Sequence, residues 1–91
     1  MDAITSLQAE VLKTLASPRR LEILHALAQG PREVSRLAAE IGATQPNVSQ
    51  HLAVLRSAGL VVSRRDGSTV YYRLTDPRVL EAYESIRSLA Q

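Results

Sequence analysis

The sequence predicts a mainly α domain carrying one small β-hairpin, and three observations lead there. Apolar residues recur at spacings of three and four through most of the chain. Ser17-Pro18, Thr44-Gln45-Pro46 and Asp76-Pro77 stand where such stretches begin, each a capping side chain followed by a proline. After residue 60 the pattern changes to alternating β-branched, aromatic and polar residues on both sides of Asp66-Gly67.

The first helix is expected over 4–15, where Ile4, Leu7, Val11 and Leu15 make one apolar stripe. Ser17 caps a second, with Leu21, Leu24, Leu27 and Ala28 inward, and Gly30-Pro31 stops it. A short third segment, 33–41, turns Val34, Leu37, Ala38 and Ile41 inward and ends at Gly42, a residue suited to a left-handed cap. Thr44 caps a fourth that runs to Gly59; Pro46 sits in its first turn, where a missing N–H costs little. Its apolar line is Val48, Leu52 and Leu55. The opposite side shows Pro46, Ser49, Gln50 and Ala53, flanked by Asn47, with no acid or base. A helix face turned to solvent usually carries Glu and Lys; amides and hydroxyls, which donate and accept, suit base edges and closely approached backbone.

Leu60-Val61-Val62-Ser63-Arg64-Arg65 and Thr69-Val70-Tyr71-Tyr72-Arg73-Leu74 form the hairpin arms around Asp66-Gly67-Ser68, with Arg64 and Arg65 near the tip. A last helix follows over 77–90, lined by Val79, Leu80, Tyr83, Ile86 and Leu89.

Composition narrows the function. Ninety-one residues, 45% hydrophobic and 22% charged, hold one core. A chain of this length buries only about 60–65% of its unfolded surface, so a second subunit adds stability the monomer lacks. There is no cysteine, which excludes disulfides, thiolate metal sites and thiol chemistry. The longest uncharged run, 41–55, contains Thr, Gln, Asn, Ser and His, and the first residues include Asp2 and Glu10. Neither a membrane span nor a signal peptide is expected, and the expected location is the cytoplasm. Two histidines 26 residues apart and no Gly-rich phosphate loop argue against an enzyme. Net charge is +2, but residues 41–75 hold Arg56, Arg64, Arg65 and Arg73 against the single acid Asp66. Ten of the eleven basic residues are Arg, which favours forked contacts to phosphate, although gene base composition can produce the same bias.

Helices followed by a hairpin, with the last helix before the hairpin carrying the uncharged face, is the order of a winged helix-turn-helix domain. Ala38, Gly42 and Val48 fall at the matching spacing: a small residue where two helices touch, a glycine in the turn, an apolar anchor beyond it. Leu15-Ala16-Ser17-Pro18-Arg19-Arg20-Leu21-Glu22-Ile23-Leu24 resembles the opening signature of the ArsR/SmtB winged-helix repressors. Thr44 to Leu55, Ala58-Gly59-Leu60-Val61, Arg65-Asp66-Gly67 and Tyr71-Tyr72-Arg73-Leu74 are similar to that family's recognition helix and wing. The resemblance spans residues 10–78. It implies a single domain over 1–91 that dimerises through its terminal helices, 4–15 and 77–90, and represses transcription at an inverted-repeat operator until a signal releases it. It further implies double-stranded DNA and a second copy of the chain as partners.

By that resemblance Gln45, Asn47, Ser49 and Gln50 make recognition-helix contacts, while Arg64 and Arg65 reach phosphates or the minor groove. Arg36 either meets a phosphate or pairs with Glu33 or Glu40 at helical spacing. Ile4, Leu7, Val11, Tyr83 and Ile86 are the candidate dimer contacts. His51, beside the apolar line, reads as a half-buried histidine, His25 as surface. Of Tyr71 and Tyr72, one packs on the core and the other is exposed or at an interface. A protein-interaction module on the same scaffold is the alternative, but would more often present an apolar face.

Many members of the family sense metals through cysteines before the turn; here the corresponding positions hold Glu33 and Ser35. Others use an Asp-x-His pattern in the last helix, and Asp76 matches its first position while Arg78 replaces the histidine. A guanidinium repels a cation, so no metal and no cofactor is expected. Glu81 and Glu84 share a helix face and are read as solvated, although a carboxylate site across a dimer stays open. An organic ligand, a pH change, a protein partner or protein concentration alone remains as the signal.

Overall fold

The computed structural model describes residues 12–89; within the last helix the side chains at 77, 80, 82, 83, 86 and 87 fall outside that description. A helical turn at 12–15 leads into α1 (Pro18–Leu27), α2 (Val34–Ile41), α3 (Gln45–Ser57), β1 (Val61–Asp66), β2 (Thr69–Leu74) and α4 (Pro77–Leu89). Mainly helical with one antiparallel hairpin, this is the expected class. Ile4, Leu7 and Val11 lie outside the described residues, and so do the side chains of Tyr83 and Ile86.

Local chemistry sets the helix boundaries. Ser17 Oγ accepts the Arg20 N–H at 3.3 Å and Thr44 Oγ1 accepts that of Asn47 at 3.2 Å, each satisfying a donor that the first helical turn leaves free. Asp76 Oδ1 does the same for Arg78 N–H, at 2.8 Å. Glu33 starts α2 without a side-chain cap. That helix ends at Gly42, whose φ of 69° lets its N–H and that of Ala43 turn back onto the Ala38 carbonyl.

Ile23, Leu24, Leu37, Val48, Leu52 and Leu55 form the fully buried centre, joined by Leu15, Ala26, Leu27, Ala38, Val61 and Val79. One stripe differs from expectation. α1 buries Ile23 and Ala26, whereas Leu21 is only partly covered. The reason is that α2, α3, β2 and α4 all pack against α1, so its buried face is wider than a single line of leucines.

The hairpin pairs Val61 with Leu74 through to Asp66 with Thr69, leaving Gly67-Ser68 as the loop. Asp66 therefore belongs to the strand, one position from the central-turn role that Asp-Gly suggests. Gly67 has φ of 68° and Ser68 does not have positive φ, the pattern of a type II′ turn. Tyr72 and Leu74 pack on the core while Tyr71 is exposed. A further pairing has no counterpart in the sequence pattern: Arg32 N–H donates to Tyr72 O at 3.0 Å and Tyr72 N–H to Arg32 O at 2.8 Å. The segment ahead of α2 is thereby tied to the hairpin.

Candidate nucleic-acid interface

α3 is anchored by Val48, Leu52 and Leu55, which are at most 1% exposed. Ala38 on α2 is small enough for the two helices to close around the Gly42 turn. Arg19 supports the same turn from α1: its Nη1 donates to the Ile41 carbonyl at 3.3 Å and pairs with Glu22 Oε1 at 3.1 Å. With one side of α3 fixed inward, the other is fixed outward. Gln45, Pro46, Ser49, Gln50, Ala53, Val54 and Ser57 are exposed, with no charge before Arg56. Asn47 stands at the margin: it is half-buried, and its Oδ1 is buried with no hydrogen-bond partner among the described residues.

His51 is half-buried, as its place beside the apolar line suggests. Burial pushes its imidazole below the ordinary histidine range, and the positive charges of Arg20 and Arg19 push the same way.

On the hairpin, Arg64 and Arg65 are both exposed, but the register separates them. Arg64 pairs with Tyr71 and shares its face with Arg73, whereas Arg65 pairs with Val70 on the face that continues into Tyr72 and Leu74. Arg73 and Tyr71 were not among the candidate contacts. The signal for them is the strand alternation itself, which places Arg73 diagonally beside Arg64. Arg56 joins α3 to β1 by donating from Nη1 to Ser63 Oγ at 3.3 Å. Arg36, exposed on α2, pairs with Glu40 Oε2 at 3.0 Å, which is one of the two roles open to it from sequence.

At the start of the last helix Asp76 is engaged by Arg78. Arg78 Nε and Nη2 lie 3.2 and 2.9 Å from the Asp76 carboxylate oxygens, and this fork holds the carboxyl below its usual range. Asp76 is thus already occupied by a guanidinium. Among the described residues no group of three His, Asp or Glu side chains is placed to hold a metal, and no helix is long and apolar enough to cross a membrane.

An uncharged exposed helix face beside an arginine-bearing hairpin is the arrangement of a DNA-reading winged helix. The family model for bacterial regulatory proteins of the arsR family matches residues 17–63, from the α1 cap into β1. The chain belongs to the ArsR family. It is 47% identical over 73 residues to the HTH-type transcriptional regulator KmtR of Mycobacterium tuberculosis, an overlap of 80% of this chain and 56% of that one. It is 41% identical over 81 residues to the biofilm growth-associated repressor of Agrobacterium fabrum, covering 89% of this chain and 69% of the relative. The chain thus spans between half and seven-tenths of the length of these relatives. The solution structure of a homodimeric winged helix-turn-helix DNA-binding domain from Mycobacterium bovis superposes with a TM-score of 0.86 at 35% identity, over 99% of this chain and 90% of that one. The family is one of bacterial regulatory proteins, and both of these relatives are named as a transcriptional regulator or repressor.

Proposed function

We propose that this ArsR-family chain acts in the cytoplasm as a homodimer that occupies an inverted-repeat operator and represses transcription until a signal other than a thiol reaction or a cysteine-bound metal releases it. The observation that carries the reading is the α3 face: an exposed run of amide, hydroxyl and small side chains on a helix capped at Thr44 and anchored by three buried residues. Such a face discriminates bases by paired donors and acceptors and is able to approach the duplex closely. Gln45, Ser49 and Gln50 read base edges, and Asn47 contributes from the margin. Arg64, Arg65 and Arg36 contact phosphates or the minor groove, supplying affinity and orientation.

Dimerisation through the terminal helices, 4–15 and 77–90, places two α3 helices about 34 Å apart, one turn of DNA, which is why the operator is an inverted repeat. Leu12 and Leu89, 52% and 86% exposed on the terminal segments, support this by offering apolar surface beyond what the core uses. The homodimeric state of the Mycobacterium bovis neighbour and the name of the Agrobacterium repressor support the assembly and the direction of regulation. Any inducer acts by binding the DNA-free state more tightly, so operator affinity falls reciprocally.

The test is binding of the purified protein to the DNA upstream of its own gene at two salt concentrations, with size and metal content measured on the same preparation. Tight, salt-sensitive binding by a metal-free dimer is expected. No preference for that DNA over random duplex at either salt concentration counts against an operator there and favours a protein partner for the α3 face.

A further inference from the structure

Two arginines share one acid beside the helix-turn-helix, on unequal terms. Arg32 Nε spans the Glu40 carboxylate, 2.9 Å from Oε2 and 3.4 Å from Oε1. Arg36 Nε lies 3.0 Å from Oε2. Arg32 is held in several further ways. Its Nη1 donates to the carbonyls of Gly30 and Pro31, both at 3.0 Å, and its backbone is bonded twice to Tyr72. Its side chain is 19% exposed. The Arg36 side chain is 67% exposed and held to Glu40 along its own helix.

The position of this trio matters. α2 is the first helix of the helix-turn-helix, the element that crosses the phosphate backbone when the second helix enters the groove. A carboxylate bound by two guanidinium groups has the surroundings of a backbone phosphate, and an exposed ion pair at helical spacing exchanges readily for another anion. Arg32 leaves only by also giving up its Nη1 bonds to the Gly30 and Pro31 carbonyls, whereas Arg36, exposed and held along its own helix, leaves at little cost. Glu40 stays compensated after that exchange, because Arg32 remains on both of its oxygens.

We propose that Glu40 sets the DNA affinity of the domain: it stands in for a phosphate on Arg36 in the free protein, and Arg36 exchanges to a DNA phosphate on docking while Arg32 stays behind. The inference rests on the DNA-binding reading above. It gives Glu40 a role distinct from base recognition. By occupying Arg36 it weakens binding to every sequence alike, so that discrimination is left to the α3 face. The lowered titration of the Glu40 carboxyl, held down first by its Arg32 hydrogen bond and then by Arg36, agrees with a carboxylate that stays charged throughout.

A double-mutant cycle tests this, using the full chain with an operator duplex and a random duplex of equal length. Glu40→Gln keeps an oxygen for Arg32 and removes the charge that holds Arg36. It is expected to tighten binding to both duplexes by about two- to fivefold at low salt, and the gain shrinks as salt is added. Arg36→Ala weakens binding and lowers the salt slope by about 0.9, one phosphate contact. In the Arg36→Ala background, Glu40→Gln changes affinity by less than about twofold. Melting curves of all variants confirm folding, and Arg36→Ala, at an exposed position, tests the exchange by itself if Glu40→Gln fails to fold.

Three results overturn the proposal: Glu40→Gln binding no tighter than the parent, an equal gain with and without Arg36, or a salt slope unmoved by Arg36→Ala. The first shows that Glu40 does not restrain Arg36, the second that it acts only by general repulsion, the third that Arg36 meets no phosphate. If the parent itself shows no salt-dependent binding to either duplex, the DNA-binding reading falls, and this inference with it. A parent that binds while Glu40→Gln is silent sinks the inference alone.

Discussion

The turn between α2 and α3 is where stability and function meet, and Gly42 allows its energetics to be isolated. A Cβ built at Gly42 meets nothing within 4 Å, so a substitution there adds no steric clash. What remains is the backbone, held at φ of 69°. For alanine that left-handed conformation costs about 1–2 kcal/mol. The unfolded chain also loses freedom when glycine becomes alanine, which returns about 0.4–1 kcal/mol. The two effects leave Gly42→Ala destabilised by about 1 kcal/mol, a fall of about 4–8 °C in Tm for a domain of this size. Asparagine tolerates the same conformation better, so Gly42→Asn is expected between alanine and the parent. The assay is urea unfolding at one fixed protein concentration, since a dimer's stability depends on it. Operator affinity measured well below the transition stays at the parent value, because the Ala38 and Ala43 contacts that aim α3 are kept. An alanine variant as stable as the parent refutes the left-handed turn. A loss several times larger means that the space around the turn is not open, and an asparagine variant no better than alanine refutes the backbone explanation.

Three further outcomes are expected. Ser49→Ala and Gln50→Ala each lose about 1–3 kcal/mol of preference for operator over random duplex, whereas Arg64→Ala and Arg65→Ala each lower the salt slope by about 0.9 on both duplexes; competition titrations separate the two behaviours, and equal losses on operator and random DNA at Ser49 and Gln50 count against base reading. The His51 imidazole titrates lower in the folded chain than in the unfolded one, so the unfolded chain binds its proton first as pH falls. The stability this neutral ring contributes is complete above the ordinary histidine value of about 6.5 and is lost as pH drops through the lowered folded value; His51→Gln flattens the change in urea midpoint over this window, and an unchanged pH profile rejects the assignment. Tyr83→Asp or Ile86→Asp yields monomers by sedimentation and weakens operator binding in step, and a variant that stays dimeric removes the last helix from the interface.

The features legible in the sequence are those whose physics is local. A cap followed by proline fixes where α1, α3 and α4 begin, and one glycine fixes where α2 ends, because each depends on residues within a turn of one another. The exposed α3 face follows from the same regularity once Val48, Leu52 and Leu55 are set inward. The hairpin was visible, yet its loop moved by one residue, since pairing of Asp66 with Thr69 is decided by both arms together and not by the Asp-Gly step. Separation of Arg64 from Arg65 was available from strand alternation, and with it the placing of Arg73. Burial of Ile23 and Ala26 was not available, because it depends on how many elements surround α1.

The pairing of Arg32 with Tyr72 shows the limit most clearly. A single bridging residue makes no alternating pattern, so nothing in the local sequence marks it. Its consequence reaches the candidate interface nonetheless. The backbone of Arg32 is fixed to the hairpin and its side chain to Glu40, two residues before Gly42, so Arg32 links the hairpin to the helix-turn-helix. Arg32 and Glu40 are eight positions apart, a spacing that a helix beginning at Val34 does not explain. The two roles open to Arg36 were undecidable for the same reason: whether Glu40 is free for it depends on how Arg32 is placed. An exposed arginine on the first helix of such a motif is therefore best judged by what its acid neighbour is already holding.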